Sequence, residues 1–256
     1  MPSIRLQAEE KRGNTEGIPI GPIWCRADFR KVPSRMTRRM RSDSSLARRR
    51  PSVKPRECVL IVCEGAKTEP QYFEAMRREL RLHIVEVAVV GEKCGSSPIS
   101  VVDCAISLRK ERTRVAARSP TVVKYDVVWC VMDVEAPCQH DSLPSAIDKA
   151  KAHKLRVVLS NPMFEYWYLL HFERTSALMQ HNKDVIKRLK KHYPRYQKND
   201  EAFFQVVYPL TSQAIRNSKQ VLCEKHYDSD LRKCNPSTHV HLIVEHLHEI
   251  SRKPRP

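Results

Sequence analysis

The chain has 256 residues, of which 41% are hydrophobic and 29% charged, and it carries a formal net charge of +17. No apolar run approaches the ~20 residues needed to span a bilayer, so an integral helical membrane protein is excluded. Only 6 glycines and no collagen-like or solenoid-length period exclude fibrous and repeat architectures.

Residues 1–55 show neither a helical nor a strand period and hold Arg48, Arg49 and Arg50 in a run. Residues 1–56 contain 15 Lys/Arg against 5 Asp/Glu, which is more than half of the charge excess. This composition predicts a disordered basic N-terminal arm over 1–55. Its expected use is contact with nucleic-acid phosphates, Arg48–Arg50 foremost, and the plain alternative is a solubilising tail. The first residues lack the apolar core of a secretory signal, so a cytoplasmic protein is expected. Cys58, Cys63 and Cys130 fall within or beside apolar runs, and the total of 9 is odd. All nine cysteines are therefore expected to be reduced thiols.

The folded part, 56–256, opens with an apolar strand over 58–63 that stops at Glu64 and Gly65. A helix is predicted over about 68–81, with Thr68 as its N-cap and Pro70 in its first turn. A Val-rich strand follows over Ile84 to Val90, and then a helix over about 99–117. A third strand, 127–132, stops at Asp133-Val134-Glu135. A helix over 142–153 leads to a fourth strand, 155–159, which stops at Ser160-Asn161-Pro162. Another helix begins after Pro162 and carries Glu165, Trp167 and His171. This alternation predicts an α/β fold with a mostly parallel sheet flanked by helices. From about 175 onward the pattern is helical only, with segments 182–192, 199–226 and 236–251.

Polar groups at the C-terminal ends of three buried strands describe an active-site edge, because open α/β sheets bind ligands there. In an extended segment Asp133 and Glu135 leave the same face. Two hard oxygen ligands so placed suit Mg²⁺, with Glu64 close enough to join them or to move a proton. Lys67 is placed to neutralise a phosphate oxygen, and the N–H groups after Gly65 to hold another. Asn161 reads either as a turn or cap residue or as a substrate contact. His171 and Trp167 read as core residues. Cys223, His226, Cys234 and His239 have zinc-ligand chemistry but short central spacing, and Asn235–Thr238 reads as a helix start instead.

Four blocks carry a resemblance: Leu60-Ile-Val-Cys-Glu-Gly-Ala-Lys-Thr-Glu-Pro-Gln-Tyr-Phe, Tyr125-Asp-Val-Val-Trp-Cys-Val-Met-Asp-Val-Glu, Ser160-Asn-Pro-Met-Phe-Glu-Tyr-Trp-Tyr-Leu-Leu-His-Phe and Asn235-Pro-Ser-Thr-His-Val-His-Leu-Ile. In order, they resemble the RloB-like family, itself similar to the Toprim fold. The resemblance implies Mg²⁺-dependent (or Mn²⁺-dependent) phosphodiester chemistry on DNA or RNA. Its metal residues would be Glu64, Asp133 and Glu135. Glu135 stands where Toprim proteins carry Asp, and the third acid of their pattern falls on Pro137; Glu165 and Asp141 are the candidates to replace it. The resemblance further implies antiphage, abortive-infection defence beside an ATPase partner. Two alternatives of other classes stand beside the nuclease: a non-catalytic regulatory subunit of that ATPase, and a basic nucleic-acid-binding protein.

Overall fold

In a computed structural model, the structure describes residues 57–83, 87–91, 94–95, 97–135, 140–198, 200–224 and 233–254. Arg48, Arg49, Arg50 and the rest of the basic arm lie outside them, as do Pro137 and His226. Among the described residues no helix is long and apolar enough to cross a membrane.

Five strands form one sheet: β1 (Val59–Cys63), β2 (Val87–Val90), β3 (Val127–Asp133), β4 (Arg156–Asn161) and β5 (Ser237–Thr238). Their spatial order is β2-β1-β3-β4-β5. The first four are parallel, and only β5 runs antiparallel, on β4. β1 is buried along its whole length because both faces are covered. Val59, Ile61, Cys63, Trp129 and Val131 face one apolar layer, while Leu60, Val62, Val128, Cys130 and Met132 face the other. Each such side chain contributes about 1.5–3 kcal/mol by leaving water.

The first layer is closed by α1 (Thr68–Glu79), through Tyr72, Phe73 and Met76. The second is closed by α2 (Pro98–Arg118), through Val101, Val102, Ala105 and Ile106, and by α3 (Leu143–Ala152). Helix α4 (Glu165–Phe172) is buried from Glu165 to His171, since the C-terminal helices cover its outer side. These are α5 (Asn182–His192), α6 (Phe203–Val207) and α7 (Thr211–Glu224), while α8 (Val240–Arg252) packs against β4 and α7. Asn217 of α7 donates to the Leu170 carbonyl at 2.7 Å, fastening α7 to α4.

Several expectations need correction. Cys94 and Cys104 form a disulfide, with their Cα atoms 5.3 Å apart. Their separation lies within disulfide reach, whereas the thiol expectation generalised from strand cysteines; Cys58, Cys63 and Cys130 are buried and form no disulfide. The helix expected over 199–226 is two helices separated by a 3₁₀ turn, Tyr208–Leu210, where Pro209 cannot continue the α-helical ladder. Ser237 and Thr238, expected to start a helix, instead form β5 before α8 begins.

Candidate functional site at the sheet edge

β1 connects outward to β2, whereas β3 connects the other way to β4, so the strand order reverses between β1 and β3. A crevice opens at the carboxyl ends of the strands at such a reversal. Glu64 and Asp133 stand on its two sides. Cys63 pairs with Val131, and the Glu64 N–H continues the ladder to the Val131 carbonyl at 3.0 Å. The Glu64 side chain then turns across and its Oε2 accepts the Asp133 N–H at 3.1 Å.

Beyond Asp133 the strand geometry ends. Val134 N–H donates to Ser160 O at 2.8 Å and Glu135 N–H to Pro162 O at 2.7 Å. Glu135 has φ of 65°, a left-handed conformation that costs a non-glycine residue free energy. Glu135 therefore lies past the end of the strand in a left-handed conformation, and strand alternation from Asp133 does not set where it points. Both nevertheless line one cleft, together with Glu64, Lys67 and Glu165.

Two further charged residues line that cleft and were not singled out from sequence: Glu69 and Lys198. Glu69 is only 7% exposed and sits in the first turn of α1. Its carboxylate lies where a Cβ on residue 65 would stand, so Gly65 makes room for it. Thr68 is the first residue of α1 rather than its cap, and no side chain of the preceding Lys67 caps the helix. The Glu69 carboxylate instead accepts hydrogen bonds from its own and the Gly65 backbone. Glu69 was legible in principle: residues 69, 72, 73 and 76 form one helical stripe, and an acid in a buried stripe is out of place. Lys198 lies in the segment after α5, where no period predicts contact.

Glu165, at the start of α4, is 2% exposed. Its Oε1 accepts the Tyr196 hydroxyl at 3.4 Å and meets Lys198 Nζ at 3.3 Å. Five carboxylates and two lysines thus share the cleft. Burial raises the Glu64 carboxyl to about 7, against the Asp133 N–H hydrogen bond and with help from the Glu135 and Glu69 charges. Burial also raises Glu69 to about 7; Glu165 adds to this, while Lys198 opposes it. Asp133 is pushed well above the carboxylate range by burial first, then by Glu69, Glu165 and Glu64. Its Oδ1 is buried with no hydrogen-bond partner. Crowded acids in low dielectric cannot all ionise without a compensating cation.

The remaining sequence candidates lie elsewhere or at the margin. Lys67 and Gly65 are on the cleft wall. Asn161 is buried at the end of β4, opposite Ser237, and does not line the cleft. Asp141 is exposed and outside it. His171 is buried, with Nδ1 on the Trp167 carbonyl at 2.9 Å, and burial lowers it to about 4. Among the described residues, no group of three or more His, Cys, Asp or Glu side chains is arranged to hold a metal ion.

Fold and site together define an α/β protein whose parallel sheet ends in a carboxylate-lined cleft at the strand-order reversal. Residues 59–247 match the family model described as RloB-like protein, and the chain belongs to the RloB-like family. No curated protein and no solved structure matches it.

Proposed function

We propose that the chain is a Mg²⁺-dependent, Toprim-like phosphodiesterase that cleaves DNA or RNA, serving in antiphage defence. One observation carries the chemistry: the acid cluster at the strand-order reversal, with a buried and unpartnered Asp133 Oδ1 at its centre. The donors are all hard oxygens, and both facts fit Mg²⁺ or Mn²⁺. Asp133, Glu135 and Glu69 would hold the ion, with Glu165 beside them and Glu64 left to move a proton. Glu69 supplies the acid that Pro137 leaves out of the Toprim pattern. Because no three of these groups converge with Glu64 on the Asp133 N–H, loading requires at least one carboxylate to re-orient. The bound ion supplies charge for a phosphodiester oxygen and acidifies an attacking water.

The chain's own groups do the rest. Glu64 is partly exposed with its carboxyl near 7, which suits it to take or return a proton at neutral pH. Lys67 and Lys198 put positive charge on the cleft wall for phosphate oxygens. Defence, and an ATPase partner encoded nearby, are supported by the family resemblance alone.

The test incubates full-length protein with DNA and with total RNA in Mg²⁺ or Mn²⁺, beside Glu64→Gln and Asp133→Asn. Cleavage should fall by roughly 10²–10⁴-fold in Glu64→Gln. Unchanged cleavage in both variants would overturn the assignment. That no three acids converge on one point among the described residues favours one rival, a non-catalytic subunit regulating an ATPase. Calorimetric titration with Mg²⁺ separates them, since that subunit gives no carboxylate-dependent heat.

A further inference from the structure

A second cavity, of about 190 Å³, lies beside the acid cleft, and Thr68 lines both. Its aromatic wall is Tyr72, Tyr168, Tyr196, Phe203 and Phe204. Tyr168 meets Phe203 edge to face at 5.0 Å, and Tyr72 meets Phe204 at 5.6 Å, so the wall is closely packed. Tyr196 joins cavity to cleft directly, because its hydroxyl donates to Glu165. The rim is polar, with Gln71 from α1 and Gln197, Asp200 and Glu201 from the segment before α6. The carboxamides of Gln71 and Gln197 have no hydrogen-bond partner among the described residues.

Resting on the phosphodiesterase assignment above, we propose that this cavity is a nucleobase subsite, which takes one base of the nucleic-acid strand whose phosphate enters the acid cleft. Three features select that occupant. The volume is below the ~300–1,000 Å³ of pockets for drug-sized ligands, which limits it to a single ring system. The five aromatic side chains are each at most 6% exposed, and the small area they show the cavity is apolar ring surface that any base can meet. Glu74 is paired with Arg77 at 2.7 Å, which leaves Asp200 and Glu201 against Arg78 on the rim, an excess of acid that disfavours a phosphate but accepts exocyclic amino groups. The two unpaired carboxamides each present both donor and acceptor to a base edge. Sharing Thr68 with the cleft and tied to it by the Tyr196–Glu165 hydrogen bond, the cavity is placed for a nucleotide adjoining the scissile phosphate.

The probe is 2-aminopurine ribonucleoside, which carries no phosphate and so does not depend on the acid cluster. Titrating full-length protein should quench its fluorescence saturably. Gln197→Ala alters an exposed side chain, and Ala75→Phe fills the cavity from α1; each should weaken binding about tenfold or more. Thermal melting of both variants confirms that they fold. Absence of saturable quenching, or equal affinity in either folded variant, overturns the subsite. Hydrolysis of bis(p-nitrophenyl) phosphate by the wild type with Mg²⁺ tests the acid cleft separately, since that substrate has no base. Nucleoside binding without hydrolysis defeats the phosphodiesterase assignment and leaves the base site standing; hydrolysis without nucleoside binding does the reverse.

Discussion

The Glu64 carboxylate reaches from the end of β1 to accept the backbone N–H of Asp133 at the end of β3, at 3.1 Å. This one contact spans the strand-order reversal and fixes the distance between the two acids. It also leaves one oxygen of the Asp133 side chain unsatisfied: Oδ1 is buried, has no partner and lies among Glu64, Glu69 and Glu165. The cleft is therefore held together against its own charge, a strain expected at a functional site and not at an inert surface.

Asp133→Asn should separate function from stability. The substitution keeps the shape and an acceptor for the Phe164 N–H, and removes a carboxyl that burial and three neighbouring acids oppose. In EDTA at pH 8 the variant should be more stable by about 1–2 kcal/mol, a rise of roughly 2–8 °C in Tm for a chain of this size. Nucleic-acid cleavage should vanish in the same preparation. Differential scanning calorimetry decides the first part, and a lower Tm than wild type would refute the electrostatic account.

Glu69→Gln tests the charge cluster through pH. Burial holds the Glu69 carboxyl at about 7, so the folded state keeps a proton that the unfolded chain releases above about 4.5. The folded state then binds more protons, and stability due to this group falls as pH rises from about 4.5 to about 7. His171 and His239, both lowered to about 4 by burial, act in the opposite sense between about 4 and 6.5. Subtracting the variant curve from the wild-type curve cancels the histidines. The two proteins should be equally stable near pH 4.5, and Glu69→Gln should be more stable by about 2 kcal/mol at pH 8, where about 1.4 kcal/mol per pH unit of the window sets the ceiling. Urea unfolding in EDTA at pH 4.5, 6, 7 and 8 measures this. A pH-independent difference would show that Glu69 titrates normally.

What the sequence reveals here follows from the range of the forces involved. β1 and β3 are legible because a strand buried on both faces must be apolar throughout, and an acid at its end then stands out. Glu64 and Asp133 were visible for that reason. Glu135 was visible as an acid but not as a left-handed residue, since its conformation is set by the Pro162 carbonyl on β4's extension. Glu69 looked like an ordinary first-turn acid, favoured by the helix dipole, and only its place in the buried stripe betrayed it. Lys198 reaches the cleft through tertiary folding of a segment without a period. β5 has two residues, too few for alternation to show. The Cys94–Cys104 bridge joins a loop to a helix, a proximity that spacing alone does not encode.

The glycines under the site give a steric prediction. A Cβ on residue 65 would collide with the Glu69 carboxylate, the far end of a flexible side chain that can swing aside. A Cβ on residue 91 would lie 2.6 Å from the Gly65 carbonyl oxygen and against Pro70, where backbone must yield. Gly65→Ala should thus reduce cleavage with little loss of stability, by expelling Glu69 from its place. Gly91→Ala should lose about 1–3 kcal/mol as well, the usual consequence of overpacking. Paired chemical unfolding and cleavage assays distinguish the two. Equal stability losses in both variants would contradict the assignment of Glu69 as the yielding group in the first.

Lys198→Ala should move ion binding and catalysis in opposite directions. Lys198 Nζ lies 3.3 Å from Glu165 Oε1 and lowers the cost of charging Glu69 as well. Removing it leaves Glu165 with the Tyr196 hydroxyl and makes the cleft more negative. A divalent cation then faces one competitor fewer, and since charges near a protein surface interact by up to about 4 kcal/mol at this range before screening, Mg²⁺ should bind several-fold more tightly. The substrate phosphate loses a positive group at the same time, so cleavage at saturating Mg²⁺ should fall. Calorimetric titration gives the first quantity and the cleavage rate gives the second. If Mg²⁺ binding weakens together with cleavage, Lys198 acts by holding Glu165 in place; if Mg²⁺ affinity does not change, its ammonium does not offset the acid cluster.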